Sequence, residues 1–594
     1  MSKFQYWMAI VLSIIVVNSC KQVPVDRSVA VIDLKFDQDY TPTYDEIIDN
    51  YRKLDNYSDK ATLMEVGETD AGKPLHLFVI SADGDTDPVS NREKGRAVLF
   101  INNGIHPGEP CGIDASLKFA DELLRNVDGL RQLLEKVTIC IIPVYNVGGH
   151  LNRSAFNRAN QVGPLETGFR GNARNLDLNR DFIKCDSKNA KSFNRVFTSW
   201  KPDVFLDTHT TNGSDHQYCI TLIPTNTNAL PAPMGHFLRS KMLQSLYSGM
   251  SQTPYEMTPY VAWVNQDPSQ GVVMTLESGR FSTGYSRFNY VYGFMTENHV
   301  YKPFKDRVLS NYYFIRELAT FTAVNATEII QTRADALHEA IENDLYSLDY
   351  KVDTTQFEEI TFKGYEAGMY ESPVTGLMRF GYDRSRPYTK KIPYYTTYHA
   401  AETIEKPVYY ILPGAWTEAV ERMKLNNVEM EQFPKDMKMS VDAYYLTKVS
   451  HANQPYNGHY FHDSVDAVLK AVEVNIYAGD YLIPVNQEKM AYIIECLEPK
   501  ASDSFFRWNF FDSMLDRREY FSPWGFEANA QKYLDEHPGF KEEWEQARKN
   551  NRLLKDNHYQ QMAYIYGNSE WSEASYMRYP VFRLNNVELS WLKQ

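Results

Sequence analysis

Residues 97–113 read Ala-Val-Leu-Phe-Ile-Asn-Asn-Gly-Ile-His-Pro-Gly-Glu-Pro-Cys-Gly-Ile. The run Ala97–Ile101 is apolar and β-rich without interruption, the pattern of a central strand buried on both faces. From Ile113 to Asn126 the apolar residues return at helical spacing. The Pro/Gly-rich turn between them carries His106 and Glu109, three residues apart. Imidazole and carboxylate are both good zinc ligands. A turn at the end of a strand in an open α/β sheet can aim both at one point. The spacing alone decides little, since a chain this long carries roughly one His-x-x-Glu by chance.

Outward from this stretch, strands and helices alternate. Lys73–Ser81 alternates like a strand after the turn Asp70-Ala71-Gly72, and Val137–Val144 is a second continuous apolar run. Pro202–Asp207, Tyr218–Ile223, Val272–Leu276 and Phe294–Thr296 read as shorter strands. Tyr44–Leu54, Ser187–Trp200 and Lys305–Ala319 have helical spacing. The interleaving predicts an α/β fold, a three-layer αβα mixed sheet over residues 36–325. Beyond it the texture changes. Residues 326–450, rich in Tyr, Thr and Val with Pro and Gly turns, predict a β-rich accessory region. Residues 451–594, charged and helical over 530–566, predict a mixed α+β region. This C-terminal part shows no metal-ligand spacing, P-loop or catalytic triad pattern. His399, His451, His459 and His462 read there as surface or packing residues.

At 594 residues the chain exceeds one core, so two or three domains are expected. A net charge of −14 argues against nucleic-acid binding. At the start, Lys3 precedes an apolar stretch, Met8–Val17, too short to span a bilayer. It ends Val17-Asn18-Ser19-Cys20, which resembles a bacterial lipobox whose Cys becomes lipidated. Residues 1–20 are thus expected to be a lipoprotein signal, residues 21–35 a tether, and the protein extracytoplasmic and membrane-anchored, periplasmic or at the cell surface. An ordinary secretory signal would give the same side of the membrane. The five other cysteines are odd in number and lack a CxxC pair, which predicts buried free thiols.

Four more clusters inside residues 100–300 carry candidate chemistry. In Asp207-Thr208-His209, His209 could be a third ligand, preferred over the competing His216 because it abuts a strand, where its position is rigid; a His2Glu set leaves a position open for water. In Asn175-Leu176-Asp177-Leu178-Asn179-Arg180-Asp181, Asn179 and Arg180 pair an amide with a bidentate cationic fork, which fits a free carboxylate. Asp177 could accept the second ring N–H of a metal-bound histidine. Arg158, in Phe156-Asn157-Arg158, could stabilise an oxyanion. Glu297, ending an apolar strand, could act as general base toward a metal-activated water, with Glu277 as rival.

Taken in order, these elements resemble the zinc carboxypeptidase family, of the carboxypeptidase A type. That family carries His-x-x-Glu, an Asn-Arg element, a later His and a late catalytic Glu. These read here as His106/Glu109, Asn179/Arg180, His209 and Glu297. Val66–Lys73 is similar to the family's Gly-x-Ser-x-x-Gly-Arg entry, and the likeness covers about residues 40–320. Phe156–Pro164, Leu178–Lys184 and Glu297–Val308 resemble a divergent bacterial branch. That likeness favours Glu297 over Glu277 and makes Arg158 the oxyanion arginine. Arg158 lies further upstream of Asn179 than in the digestive enzymes, so Arg153 stays open. For the family's mobile tyrosine, Tyr285, Tyr290 and Tyr292 are candidates, with Tyr285 preferred. The resemblance implies Zn2+ held by His106, Glu109 and His209, a peptide substrate with a free C-terminal carboxylate, and hydrolysis of its last peptide bond. A related zinc amidohydrolase and a catalytically degenerate binding lipoprotein are the alternatives.

Overall fold

The computed structural model describes residues 29–585 apart from 212 and 264–266. The expected signal segment, Cys20 and the start of the tether lie outside the described residues. No helix among the described residues is long and apolar enough to cross a membrane.

The N-terminal half contains β1 (Ala61–Glu68), β2 (Pro74–Ile80), β3 (Ala97–Asn102), β4 (Val137–Ile142), β5 (Val204–Thr211), β6 (Ile220–Pro224), β7 (Met257–Pro259), β8 (Ala262–Trp263), β9 (Val272–Val273) and β10 (Tyr292–His299). Eight of these form one mixed sheet in the order β1-β2-β4-β3-β5-β10-β6-β7. Its centre, β4-β3-β5-β10, is parallel; β1, β2 and the β10–β6 pair are antiparallel. Every residue of β3 and β4 is buried, as central parallel strands covered on both faces require.

Side-chain alternation shows what covers each face. Phe100 of β3 and Phe205 of β5 are register partners, so they share a face. There they pack edge-on against Phe193 and Phe197 of the helix Lys188–Trp200. Phe294 of β10 is the partner of Leu206, one residue on, and so lies on the opposite face. It meets Phe314 of the helix Phe304–Val324, which packs beside the helix Cys111–Arg125. Helices on both faces of one sheet give the three-layer αβα arrangement. Gly112 lets the helix Cys111–Arg125 start directly against β5: a Cβ there would stand 2.0 Å from Thr208 Oγ1.

Two elements run further than their apolar runs. β5 continues through Asp207-Thr208-His209-Thr210-Thr211, and β10 through Glu297-Asn298-His299. These polar residues stay in the ladder because they find buried partners: Asn102 donates to Asp207 (3.0 Å), Thr208 to Asn103 (3.0 Å) and Thr296 to Asn311 (2.8 Å). The strand expected over Val272–Leu276 shortens to Val272–Val273, leaving Glu277 in a loop.

The C-terminal half contains a long hairpin, Glu358–Glu371 with Met378–Tyr395, joined to β9. It also holds a six-stranded sheet that includes Met437–His451 paired with His462–Ile476. The expected division at residue 450 therefore falls near the end of the first strand of one hairpin, whose two strands belong to one sheet. Helices between Pro523 and Gly567 enclose a separate small core around Phe526, Trp544 and Tyr566. The main apolar core is continuous from Ile32 to Val581 and includes Met423, Ile493, Leu497 and Phe505 beside Leu178, Tyr285 and Phe288. The five cysteines are buried and free.

Candidate metal centre

His106 and Glu109 sit in the turn after β3, and His209 lies in β5, at the C-terminal ends of neighbouring parallel strands. All three are buried, and one ligand atom from each lies within 4.8 Å of the others. Their orientation is fixed from behind. His106 Nε2 lies 2.8 Å from Asp177 Oδ1, and His209 Nε2 lies 2.9 Å from Asp207 Oδ2. Each imidazole thus gives its Nε2 proton to an aspartate and turns Nδ1 toward Glu109, at 3.4 Å for His106 and 3.2 Å for His209. His106 Nδ1 is buried without a hydrogen-bond partner. Two imidazole nitrogens and a carboxylate oxygen converging in this way fit zinc, and aspartates behind the rings are what a metal-binding histidine needs to hold its tautomer. His216, the competing histidine, packs edge-on against His299 at 4.5 Å and is not in the group.

Burial opposes ionisation of Glu109, yet His106 and Arg158 hold its carboxyl well below the usual range. Burial likewise opposes protonation of His209, while Asp207 and Glu109 push it well above the ordinary value. Arg158 Nη1 donates to Glu109 Oε1 at 2.9 Å and its Nη2 to the Thr210 carbonyl at 3.2 Å. Arg153 points elsewhere, donating to the carbonyls of Thr41, Pro42 and Glu166.

Glu297 of β10 is the register partner of His209 in β5, so both project from the same face of the sheet. Its Oε2 is buried with no hydrogen-bond partner. Burial lifts its carboxyl to about 8, with Glu109 and Glu277 adding to the rise and His209 and Arg170 opposing it. Glu277 stands near the same pocket from its loop. Burial raises it too, but it accepts a hydrogen bond from Thr283 and feels both His209 and Arg180.

The segment 177–180 is a single 3-10 turn begun by Asp177, whose side chain accepts from the Asn179 N–H. Asn179 is buried with Oδ1 unpartnered. Arg180 lies over the Phe281 ring at 4.3 Å, donates through Nη1 to the Asn179 carbonyl, and donates through Nε to Tyr456 Oη at 2.7 Å.

Tyr285 is not at the pocket. It is fully buried, with its hydroxyl donating to Asn426 Oδ1 (2.6 Å) and lying 3.1 Å from Asn194 Oδ1, in the seam between the two halves. A tyrosine flanked by Ser, Gly and Arg in a short helix reads as accessible, but here the whole helix Ser282–Phe288 is buried. Tyr292 bonds Thr332, and Tyr290 is buried in the main core. The tyrosine beside the site is Tyr260, just after β7. Its hydroxyl contacts Thr211 Oγ1 at 3.3 Å, and burial lifts the phenol to about 12, with Glu297, Glu277 and Glu109 contributing.

Sequence reasoning also passed over Asp207, Arg170, Tyr456 and Asn457. Asp207 carried a readable signal, because residues two apart in a strand share a face. Arg170 bridges Asp177 (Nε to Oδ2, 2.9 Å) and Glu109 (Nη1 to Oε1, 3.5 Å) and is half-exposed toward the site. Tyr456 and Asn457 come from the other half of the chain and carried no local signal.

Residues 47–215 match the zinc carboxypeptidase family. Carboxypeptidase 2 of Trichophyton tonsurans is 22% identical over 487 residues, covering 78% of this chain and 83% of that protein. Carboxypeptidase 2 of Trichophyton rubrum is similar to the same degree, 22% over 488 residues, with 78% and 83% covered. Among solved structures, carboxypeptidase A from Helicoverpa armigera aligns at 14% identity with a TM-score of 0.37, covering 52% of this chain and 77% of its own. A metallo-carboxypeptidase from Burkholderia cenocepacia aligns at 15% with a TM-score of 0.35, covering 48% and 70%.

Proposed function

We propose that the chain, whose residues 47–215 match the zinc carboxypeptidase family, removes the C-terminal residue of peptides with Glu297 as general base. The observation that carries the reading is the pairing of His209 and Glu297 on adjacent strands, facing the His106/Glu109 turn. His106, Glu109 and His209 would hold the metal. The chemistry zinc supplies there is acidification of the attacking water and polarisation of the scissile carbonyl. Glu297 takes the water's proton on its unpartnered Oε2 and returns it to the leaving amine. Arg158 and Arg170, the two guanidiniums beside Glu109, face the charge that develops on the tetrahedral oxygen. Asn179 and Arg180 receive the substrate's terminal carboxylate, which places only the last bond for attack.

The test uses residues 21–594. The expected result is about one zinc per chain and release of single C-terminal amino acids from free-acid peptides, but not from C-terminally amidated ones. Glu297→Gln should lower kcat by roughly 10²–10⁴-fold with zinc retained. Undiminished turnover in that variant would move the base to Glu277. Equal cleavage of amidated peptides, or full activity of Arg180→Ala on every substrate, would replace the carboxypeptidase reading with that of a zinc amidohydrolase.

The N-terminal pattern ending at Cys20 supports an extracytoplasmic, lipid-anchored enzyme acting on peptides outside the cytoplasm. Cys20→Ser should then release the protein from the membrane fraction and abolish labelling by a fatty-acid probe. A labelled, membrane-bound Ser variant would remove the anchor.

A further inference from the structure

The C-terminal half reaches into the site through one turn. Residues 455–459 read Pro-Tyr-Asn-Gly-His, and Asn-Gly is the preferred pair for a two-residue hairpin turn. Tyr456 and His459 exchange both main-chain hydrogen bonds, at 2.7 and 3.1 Å. Asn457 and Gly458 have φ values of 50° and 90°, the left-handed backbone such a turn demands. The tip is thus set by its own sequence. It caps the paired strands Met437–His451 and His462–Ile476.

This tip touches the segment 177–186 through three successive side chains other than Gly458. Tyr456 Oη accepts from Arg180 Nε at 2.7 Å. Asn457 pairs with the main chain of Asp177 at both ends: the Asp177 N–H donates to Asn457 Oδ1 (2.8 Å), and Asn457 Nδ2 donates to the Asp177 carbonyl (3.1 Å). His459 Nε2 lies 2.7 Å from Asp186 Oδ2, which also takes Lys184. Behind the tip, the Tyr456 ring stacks on buried Trp508 at 6.0 Å and 18°. Arg280 covers Trp508 at 4.9 Å and is itself held by Asp503 at 2.7 Å.

We propose that this hairpin tip is part of the substrate site, with Tyr456 and Asn457 as positioning residues for the carboxylate-binding arginine and for Asp177. The inference rests on the reading of Arg180 as the residue that receives the terminal carboxylate. A guanidinium has five N–H donors in one plane. In Arg180, Nε is spent on Tyr456, one Nη1 proton on the Asn179 carbonyl, and one face on Phe281. What is left is both Nη2 protons and one of Nη1, so a carboxylate meets Arg180 at its Nη end and not along the Nε edge. Tyr456 therefore selects which edge of Arg180 meets the substrate. Asn457 does the corresponding work for the metal side. By fixing the Asp177 main chain it fixes the carboxylate that orients His106. The accessory half is in this sense part of the substrate and metal positioning of the catalytic half.

The experiment compares Tyr456→Phe, Tyr456→Ala, Asn457→Gly and Arg180→Ala in the full chain. Tyr456→Phe keeps the ring on Trp508 and removes only the oxygen. It should raise KM for free-acid peptides about tenfold, with kcat within about twofold and melting temperature unchanged. A packing role alone would be met by Phe, so wild-type KM in that variant overturns the assignment of Tyr456. If Arg180→Ala raises KM while Tyr456→Phe does not, the inference fails and the carboxypeptidase reading stands. If neither changes KM, the reading itself fails. Asn457→Gly keeps the left-handed backbone but loses both bonds to Asp177. It should lose zinc to a chelator about tenfold faster than the wild type. An unchanged rate overturns the role of Asn457.

Discussion

Asp177 joins four partners through one residue. Its Oδ1 meets His106 and the Asn179 N–H, its Oδ2 meets Arg170, and its main chain meets Asn457. Residues of this kind divide by how they could be read beforehand. His106, Glu109, Asn179 and Arg180 are legible because their chemistry is packed into short runs. Arg170 and Tyr260 are not, because each reaches the site from a loop whose path is set by tertiary contacts. Asp114 shows a related cost of burial. It lies in the helix after the metal turn, fully buried, accepting from Thr41 Oγ1 at 2.7 Å with Oδ1 unpartnered. Burial raises its carboxyl to about 7, against about 3.9 in an unfolded chain. The native state therefore keeps a proton that the unfolded state releases between those values. Stability from this group is full below about pH 4 and is lost as pH rises to about 7. Asp114→Asn should be more stable than wild type at pH 8, on the order of 1–2 kcal/mol, and equal to it near pH 4. Urea midpoints at the two pH values measure this; a parallel offset at both would remove Asp114 as the cause.

At the scale of elements, the central strands were readable because continuous apolar runs have one cheap solution, the middle of a covered sheet. Their ends were not. A hydropathy reading stops β10 at Thr296, whereas the ladder continues to His299 and puts Glu297 inside the strand, in register with His209. That difference matters to the chemistry, because a carboxylate held by a strand has far less freedom than one in a loop. The helix Cys111–Arg125 depends on the same closeness. Its second residue is Gly112, and an added Cβ would stand 2.0 Å from Thr208 Oγ1 and 2.3 Å from Thr208 Cβ. Those atoms belong to a central strand and cannot swing away. Gly112→Ala should therefore push the helix start, and the His106/Glu109 turn joined to it, off β5. The expected cost is roughly 1–3 kcal/mol of stability, with weaker zinc retention. Thermal melts and zinc content of purified protein test this, and a variant with unchanged zinc would show that the turn moves independently of the helix.

The largest gap between sequence and structure lies at the scale of the whole molecule. A texture change near residue 325 suggests separable regions, yet the interface after it is built like an interior. Tyr285, Asn194, Asn426 and Tyr492 form one buried hydrogen-bonded cluster drawn from four distant segments. Nearby, Arg287 pairs with Glu495, which also accepts from Tyr346, and buried Lys489 donates to Asn289 at 2.7 Å. None of these residues has a local period or motif, so no window of sequence could disclose the seam. Its energetics are those of a core: removing one side leaves apolar residues such as Phe288 and Leu178 in water, Arg287 without Glu495 and Asn289 Oδ1 without Lys489. A chain ending at residue 343 should therefore be insoluble or unfolded, even though it retains the complete eight-stranded sheet and every proposed metal ligand. The full chain should unfold in one main calorimetric transition, because the two halves cannot part without opening that shared interior. A soluble 21–343 fragment with bound zinc and turnover, or two well-separated transitions in the full chain, would show instead that the halves are independent. The positioning role of the hairpin tip would then have to operate across a loose contact, which the bonds from Asn457 to the Asp177 main chain do not allow.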